Sequence, residues 1–416
     1  MLELLRKAPE FRRLWIAQVV SEAGDWLNRM AVLALIGALG GGAQIGALFG
    51  VELVVRLLPT ALMGPIAGPI ADRVSRKALM IASDLARALT VLALLFVHDA
   101  EDLPLLYTLL IVQMSISIFF QAARSASIPR TVAKEDLHTA FTLTAATWSM
   151  MLSIGALFGG VLVSWIGPDG VFLCDAASYV TSALFLARID LGPAPQHPDS
   201  FDWKRIATLA DMRDGFAHVR SLGLAWTVFA KSFWGGAGGF LVLLSLAGTL
   251  RFGGAAGEAS AAAFGTSVGM LYFARGVGTG VGPVLARRWF GSTDSSLRRQ
   301  VAGGFVVGAV GYLLFGQAPS LPLAVLAVFF AHTGGSAIWV ASTLLWQKHV
   351  DDRFRGRVYA LEFLGMTVSF SLGGLLTGLL YDASRSITAT VTLVSLVVLA
   401  SGLLWARLAS RASHPA

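Results

Sequence analysis

Apolar positions along this chain gather into long runs, separated by short polar connections. Twelve such runs are predicted as helices, over 14–39, 44–71, 77–97, 103–124, 138–164, 170–188, 221–250, 260–286, 299–317, 321–346, 357–381 and 386–407. Each is close to or above the roughly 20 residues that a helix needs to cross a bilayer. Only one connection is long: 189–220, which holds Pro193, Pro195, Pro198, Lys204 and Arg205. It divides the chain into an N-terminal six-helix bundle (1–188), a cytoplasmic linker (189–220) and a C-terminal six-helix bundle (221–416). The predicted fold is an all-α membrane protein, with twelve transmembrane helices in two pseudo-symmetric six-helix bundles. Within the linker, the stretch from Trp203 to His218 has the pattern of a surface amphipathic helix.

Composition agrees. Of 416 residues, 55% are hydrophobic and only 14% charged, against about 25% charged in a typical soluble domain. So few charges cannot cover a water-soluble fold. The single Cys174 excludes an intrachain disulfide. Arg6, Lys7, Arg12 and Arg13 precede a first apolar run that is long and itself carries charges, so that run reads as a span and not as a cleavable leader.

The net charge of +7 is not a nucleic-acid signal, because the placement of the cations explains it. Of 32 Lys and Arg, 25 fall at the two termini or in the even-numbered connections. Only Arg251 and Arg385 fall in the odd-numbered ones, and Arg29, Arg56, Arg87, Lys231 and Arg275 lie inside spans. By the positive-inside rule both termini are cytoplasmic, in a multi-pass protein of a bacterial inner membrane. A miscounted helix would scramble the alternation, so it also supports the count of twelve.

The halves repeat each other. A shift of 218 aligns Phe141 with Tyr359, Leu143 with Leu361, Ser153 with Ser371, Gly155 with Gly373, Leu157 with Leu375, Gly160 with Gly378 and Leu162 with Leu380. A shift of 214 brings Gly68-Pro69 onto Gly282-Pro283 and Arg73 onto Arg287. The helices involved are the fifth and eleventh, and the second and eighth. That is the order expected of parallel repeats about an axis along the membrane normal.

The connection Gly68-Pro69-Ile70-Ala71-Asp72-Arg73-Val74-Ser75-Arg76-Lys77 carries four charges in its last six residues. It closely resembles the loop between helices two and three of the major facilitator superfamily, with Ser75 in place of a second Gly. The resemblance extends over nearly the whole chain. It points to the bacterial efflux branch that includes macrolide exporters, an enterobactin exporter and lysophospholipid transporters. Supporting stretches are Phe11-Arg12-Arg13-Leu14-Trp15 leading to Gly24-Asp25, Ile128-Pro129-Arg130 leading to Gly159-Gly160, Asp175-Ala176-Ala177-Ser178, and Arg355-Gly356-Arg357-Val358. One departure falls on the fifth helix. Antiporters of the superfamily often carry Gly-Pro, two residues, then Gly-Gly; here Ala156 replaces the Pro, which removes any kink of that origin. The resemblance implies that Asp72, Arg73, Arg76 and Lys77 form a cytoplasmic latch whose contacts form in one state and break in the other. The plainer reading is a loop whose cations enforce topology.

Ions inside spans are costly, on the order of 2.5–3.5 kcal/mol each on insertion scales, so they mark candidate sites. Gln18, Glu22, Asp25 and Arg29 share one face of the first helix, with Asp25 near mid-bilayer. A desolvated carboxylate there can exchange protons near neutral pH; the alternative is a static Asp25–Arg29 pair. Glu52–Arg56 and Asp84–Arg87 are spaced as intrahelical pairs; the first either neutralises itself or serves the cavity as a proton or substrate site, and the second is expected to belong with the charges around Asp72. Lys231 and Arg275 have no local partner in the sequence and await a carboxylate, a carbonyl or cavity water. His332 titrates in the physiological range if it reaches a cavity, but a packing role competes. Gln113 and Gln121 are candidate cavity donors, whereas Glu362 and Asp175, near helix ends, read as structural.

No Gly-Lys-Ser/Thr phosphate loop, Cys/His cluster or appended enzyme domain is present, so the chain calls for no ATP, metal or cofactor and is not an enzyme. The resulting expectation is a monomeric secondary transporter that exports a small amphipathic compound in exchange for protons. Its other partner is membrane lipid, and it binds no nucleic acid. In this reading Glu22 and Asp25 couple, and Asp72 with Arg73 gates. A lysophospholipid flippase and a non-transporting membrane sensor are the alternatives.

Overall fold

The computed structural model describes residues 2–40, 44–192, 210–253 and 261–412. Among them it is all helix, without strand. A short helix α1 (Leu2–Lys7) leads into α2 (Pro9–Leu39), then α3 (Ile45–Ala71), α4 (Arg76–Ala93), α5 (Leu103–Thr131), α6 (Leu137–Met150) and α7 (Ala156–Ala187). After the linker come α8 (Ala210–Ser221), α9 (Ala225–Val228), α10 (Ala230–Ala237), α11 (Phe240–Leu250), α12 (Ala261–Phe290), α13 (Asp294–Gln317), α14 (Leu321–Gln347), α15 (Asp352–Ser384) and α16 (Ile387–Ala412). Nine helices of the described residues are long and apolar enough to cross a membrane. Large apolar side chains such as Phe96, Phe158, Trp165 and Trp289 face outward, as expected of a protein solvated by lipid.

The predicted runs map onto these helices with three instructive differences. The fifth and sixth runs form one continuous stretch, Lys134–Ala187, broken by backbone geometry at Gly167, where φ is 72° and ψ 173°. Only glycine takes that conformation at low cost, and Pro168 follows it. Within the fifth run, Met151–Gly155 is a π-helical segment ending immediately before Ala156. The helix therefore has a local irregularity where the proline is missing, made by a wider turn. The seventh run is cut into α9, α10 and α11, with breaks at Phe229 and at Gly238-Gly239.

The chain resolves into two compact units. The first comprises 1–40, 59–201 and 253–269; the second comprises 41–58, 202–252 and 270–416. Thus α3 and α12 each contribute one end to either unit, dividing near Pro59 and Met270. The second and eighth helices are those that the 214-residue shift aligns, so the repeat recurs in how the chain is shared out. Within the first unit α4 packs on α5 and α7; within the second α13 packs on α14 and α16. These are equivalent pairings of the third and ninth helices.

Glycines set the closest approaches. In the first unit, Gly155 lies against Trp26, Gly159 against Leu27 and Met30, and Gly160 against Gly265. In the second, Gly46 lies against Gly378, and the Asp382 carboxylate accepts from the N–H groups of Gly46 and Ala47 at 2.9 and 2.7 Å. Small residues permit this backbone proximity, from which membrane helices gain much of their association energy.

Two connections gain a local explanation. Ser75, which departs from the family's glycine, is the N-cap of α4: its hydroxyl accepts the Ala78 N–H at 3.3 Å. Ser75→Ala should cost about 1 kcal/mol of stability, within the usual range for caps, measurable as a lower unfolding midpoint in detergent. Of the predicted amphipathic helix, 203–209 lie outside the described residues. Its remainder forms α8, which docks on the start of α15, with Gly215 against Arg357 and His218 stacked on Phe354 at 4.2 Å.

Candidate functional site

The first unit encloses a cleft of about 110 Å³ lined by Ser21, Glu22, Asp25, Trp26, Arg87, Ser117, Phe120, Gln121, Arg124 and Trp148. It is built from α2, α4, α5 and α6. The polar face of α2 supplies Glu22 and Asp25, as its spacing predicted. Both find partners on other helices. Glu22 Oε1 accepts from Arg124 Nη1 at 2.8 Å and from Gln18 Nε2 at 3.0 Å, while its Oε2 is buried without a hydrogen-bond partner. Gln18 is held in turn by the Thr144 carbonyl at 3.1 Å.

Asp25 is the carboxylate open to the cleft, its side chain 32% exposed. Its Oδ2 lies 3.7 Å from Arg87 Nη1, and its Oδ1 accepts from the Tyr179 hydroxyl at 2.5 Å. The Asp25–Arg29 pair that the i,i+4 spacing suggested is replaced by these partners from α4 and α7. The Arg29 guanidinium lies over the Trp26 ring instead, 5.6 Å from its centroid.

Arg87 is the centre of the arrangement. It is 2% exposed and sits between the rings of Phe120 and Tyr179, 4.5 and 4.3 Å from their centroids. It pairs with the fully buried Asp84 and donates to Ser21 Oγ at 3.3 Å. The expectation that Asp84 and Arg87 join the charges around Asp72 is therefore corrected: their side chains face α2 and α7 and complete the cleft's electrostatics. Such an enclosed guanidinium among rings gains cation–π attraction that is strongest when desolvated. Gln113 Nε2 donates to the Tyr179 hydroxyl at 3.1 Å, so that hydroxyl both donates and accepts.

Sequence reading missed Arg124 and Tyr179. Arg124 was counted among the cytoplasmic cations, but α5 continues to Thr131 and carries it into the cleft. Tyr179 had no signal beyond its place one turn after Asp175.

In the second unit Glu52, Arg56, Lys231 and His332 are paired or packed. Lys231 Nζ lies 2.9 Å from Glu362 Oε2, donates to Thr343 Oγ1 at 2.6 Å and stands over the Trp339 ring at 4.5 Å. Glu362 Oε1 accepts from Trp346 Nε1 at 3.0 Å. Glu52 pairs with Arg56 at 2.5 Å, as its spacing predicted. His332 is buried, 2.7 Å from the Tyr312 hydroxyl and edge-on to Phe240, the surroundings of a packing residue.

The charged loop is engaged inside the first unit. Asp72 Oδ1 accepts from Arg76 Nη2 at 3.1 Å. Arg73 donates to the Pro69 carbonyl at 2.9 Å, Arg76 to that of Ala126 at 2.6 Å and Lys77 to that of Ile189 at 2.8 Å. These bonds tie the start of α4 to α5 and to the end of α7.

Comparison with known proteins gives the following. The sequence profile described as Major Facilitator Superfamily matches residues 14–293. The Bacillus subtilis protein named "Putative bacilysin exporter BacE" is 22% identical over 337 residues, 80% of this chain and 78% of that one. A match of 25% identity to the B. subtilis "Uncharacterized MFS-type transporter YkuC" spans 44% of this chain and 43% of that protein. Among solved structures, a bacterial homologue of the human lysosomal transporter Spinster, inward-facing and occupied, superposes with a TM-score of 0.71 at 15% identity over 96% of each chain. The nucleoside transporter NupG gives 0.70 at 15% identity, over 97% of this chain and 98% of its own.

Proposed function

The chain belongs to the Major Facilitator Superfamily, and from that premise we propose that it exports small amphipathic compounds across a bacterial inner membrane in exchange for protons, by alternating access. It is a multi-pass membrane transporter and not an enzyme; direction, coupling and substrate class are the proposal. The observation that carries it is the cleft of the first unit. Two carboxylates, Glu22 and Asp25, stand there beside Arg124 and Arg87 among the rings of Trp26, Phe120 and Trp148. Rings and carboxylates together suit a compound with an apolar body and a polar or cationic end. An ionisable cluster inside a membrane bundle is by default functional. The name carried by BacE supports export.

In this reading Asp25, the carboxylate open to the cleft, exchanges a proton against substrate while Arg87 and Tyr179 hold it in place. Asp72, Arg73, Arg76 and Lys77 act at the cytoplasmic end, where their bonds to α5 and α7 transmit helix movement. Both termini are cytoplasmic, the protein works as a monomer, and lipid is its solvent.

The test is flux in proteoliposomes with and without an imposed pH gradient. The panel holds ethidium, tetraphenylphosphonium, a macrolide and a fluorescent lysophosphatidylcholine. Gradient-driven flux of at least one amphipathic solute should fall by about a hundredfold or more in Asp25→Asn, the scale of a lost proton-transfer group. Full gradient-driven flux in that variant sinks the coupling role. Gradient-independent movement of the lysolipid alone would make the protein a flippase, and binding without flux a sensor.

A further inference from the structure

Behind the cleft, a polar seam continues along one face of α7. Asp175, Ser178, Tyr179 and Ser182 follow each other at helical spacing, and from α2 the residues Ser21, Gly24, Asp25 and Asn28 meet them. Asp84 and Arg87 of α4 and Gln113 of α5 close the seam. It spans eight residues of α7, seven steps or roughly 10 Å at 1.5 Å per residue. Of the seam's carboxylates only Asp25 lines the cleft; Asp84, Asp175, Asn28 and Ser182 are completely buried.

Three carboxylates here share one guanidinium. Arg87 makes its close contacts with Asp84 and Asp25. Asp175 has no such contact. Its Oδ1 lies 3.3 Å from the Ser178 hydroxyl, which donates its shorter bond to the Asp175 main-chain carbonyl at 2.7 Å, and its Oδ2 is buried without a full hydrogen bond. The carboxyl group fills the space that a side chain at position 24 would take, so Gly24 brings α2 onto it. Facing it is Asn28, wholly buried, whose amide makes no other hydrogen bond and reaches toward the Asp175 carboxyl. A bare carboxylate in this position would be an uncompensated buried charge, among the most destabilising features a fold can hold. One proton removes that charge and supplies an O–H donor for the waiting Asn28 carbonyl. Without the proton, the Asn28 N–H can serve the carboxylate. One amide thus provides a partner for either state.

We propose that the seam is a proton-binding site and that Asp175 is its innermost proton-carrying carboxyl, exchanging with the water of the cleft past Asp25. Uptake forms an O–H bond at Asp175 Oδ2 and release breaks it, with the proton passing to the cleft and no electron transferred. This deepens the proton-coupled reading and rests on it for the seam's place in a transport cycle.

The test needs no substrate. The reconstituted full-length protein is titrated with pH while infrared difference spectra record the C=O stretch of protonated carboxyl groups. The wild type should show a titrating band that Asp175→Asn abolishes, Asp25→Asn retains, and Asn28→Leu and Ser178→Ala shift in frequency. The proposal falls if Asp175→Asn keeps the band, if Asp25→Asn alone removes it, or if no band titrates. Should Asp175→Asn not fold, the Asn28 and Ser178 variants decide: a band unmoved in both overturns the assignment. A band that behaves as expected in a protein without solute flux leaves this inference standing and removes the exporter reading. Flux that survives with the band absent does the reverse.

Discussion

Replacing Arg87 with Met should lower the stability of the folded protein by about 3–5 kcal/mol, the scale seen when one partner of a buried ion pair is removed. The guanidinium is almost wholly buried, at 2% exposure. Its loss leaves Asp84, already with Oδ2 lacking a hydrogen-bond partner, as a bare charge in a dry interior. Asp25 fares better, because it opens to the cleft and keeps the Tyr179 hydroxyl at 2.5 Å. The variant's penalty should therefore trace to Asp84, and adding Asp84→Asn should recover much of it, while Asp25→Asn should recover little. Urea unfolding in detergent, followed by Trp fluorescence, gives the four-variant cycle. A loss below about 1 kcal/mol, the level of an exposed pair, would mean that the seam admits water and that Arg87 is not its keystone.

Much of the fold was legible because the bilayer enforces it. The apolar runs follow from backbone satisfaction in lipid, and they correspond to the helices apart from the continuous fifth and sixth and the divided seventh. The polar face of α2 was equally legible, because helical period alone places Glu22 and Asp25 together. What failed was partner choice. A spacing of four residues made Arg29 the natural mate of Asp25, but side chains in a bundle choose among neighbouring helices, and no one-dimensional period encodes those. The same blindness hid Arg124 behind Glu22, and it set Glu362 and Asp175 aside as helix-end residues when both are buried against ions or amides of other helices. A count of intramembrane charges held a usable hint. Arg87 was one of only five cations inside the spans, and the nearest unclaimed carboxylates had to converge on such a cation. Ser75 shows the converse. Its place in the motif belongs to a glycine, but its hydroxyl caps a helix that the glycine would leave uncapped by a side chain.

Lys231→Met should be as damaging to stability as the loss of Arg87, about 3–5 kcal/mol, for a different functional reason. The ammonium has a full set of partners: Glu362 at 2.9 Å, the Thr343 hydroxyl at 2.6 Å and the face of Trp339. Its carboxylate partner is also held by the Trp346 indole at 3.0 Å. Nothing in this constellation is left over for a ligand, in contrast to Glu22 Oε2 and Asp175 Oδ2 in the first unit. Removing the cation alone strands Glu362 at 2% exposure. Removing both charges strands nothing, so Lys231→Met with Glu362→Gln should return most of the lost stability, as apolar replacement of buried pairs often does. The double-mutant cycle measures the coupling directly. Flux then separates brace from pathway. If the refolded double variant moves solute at the wild-type rate, the pair holds α10 to α14 and α15, and the chemistry of transport belongs to the first unit. If a stable double variant no longer moves solute, Lys231 serves the pathway, and the division of labour drawn between the two units is wrong.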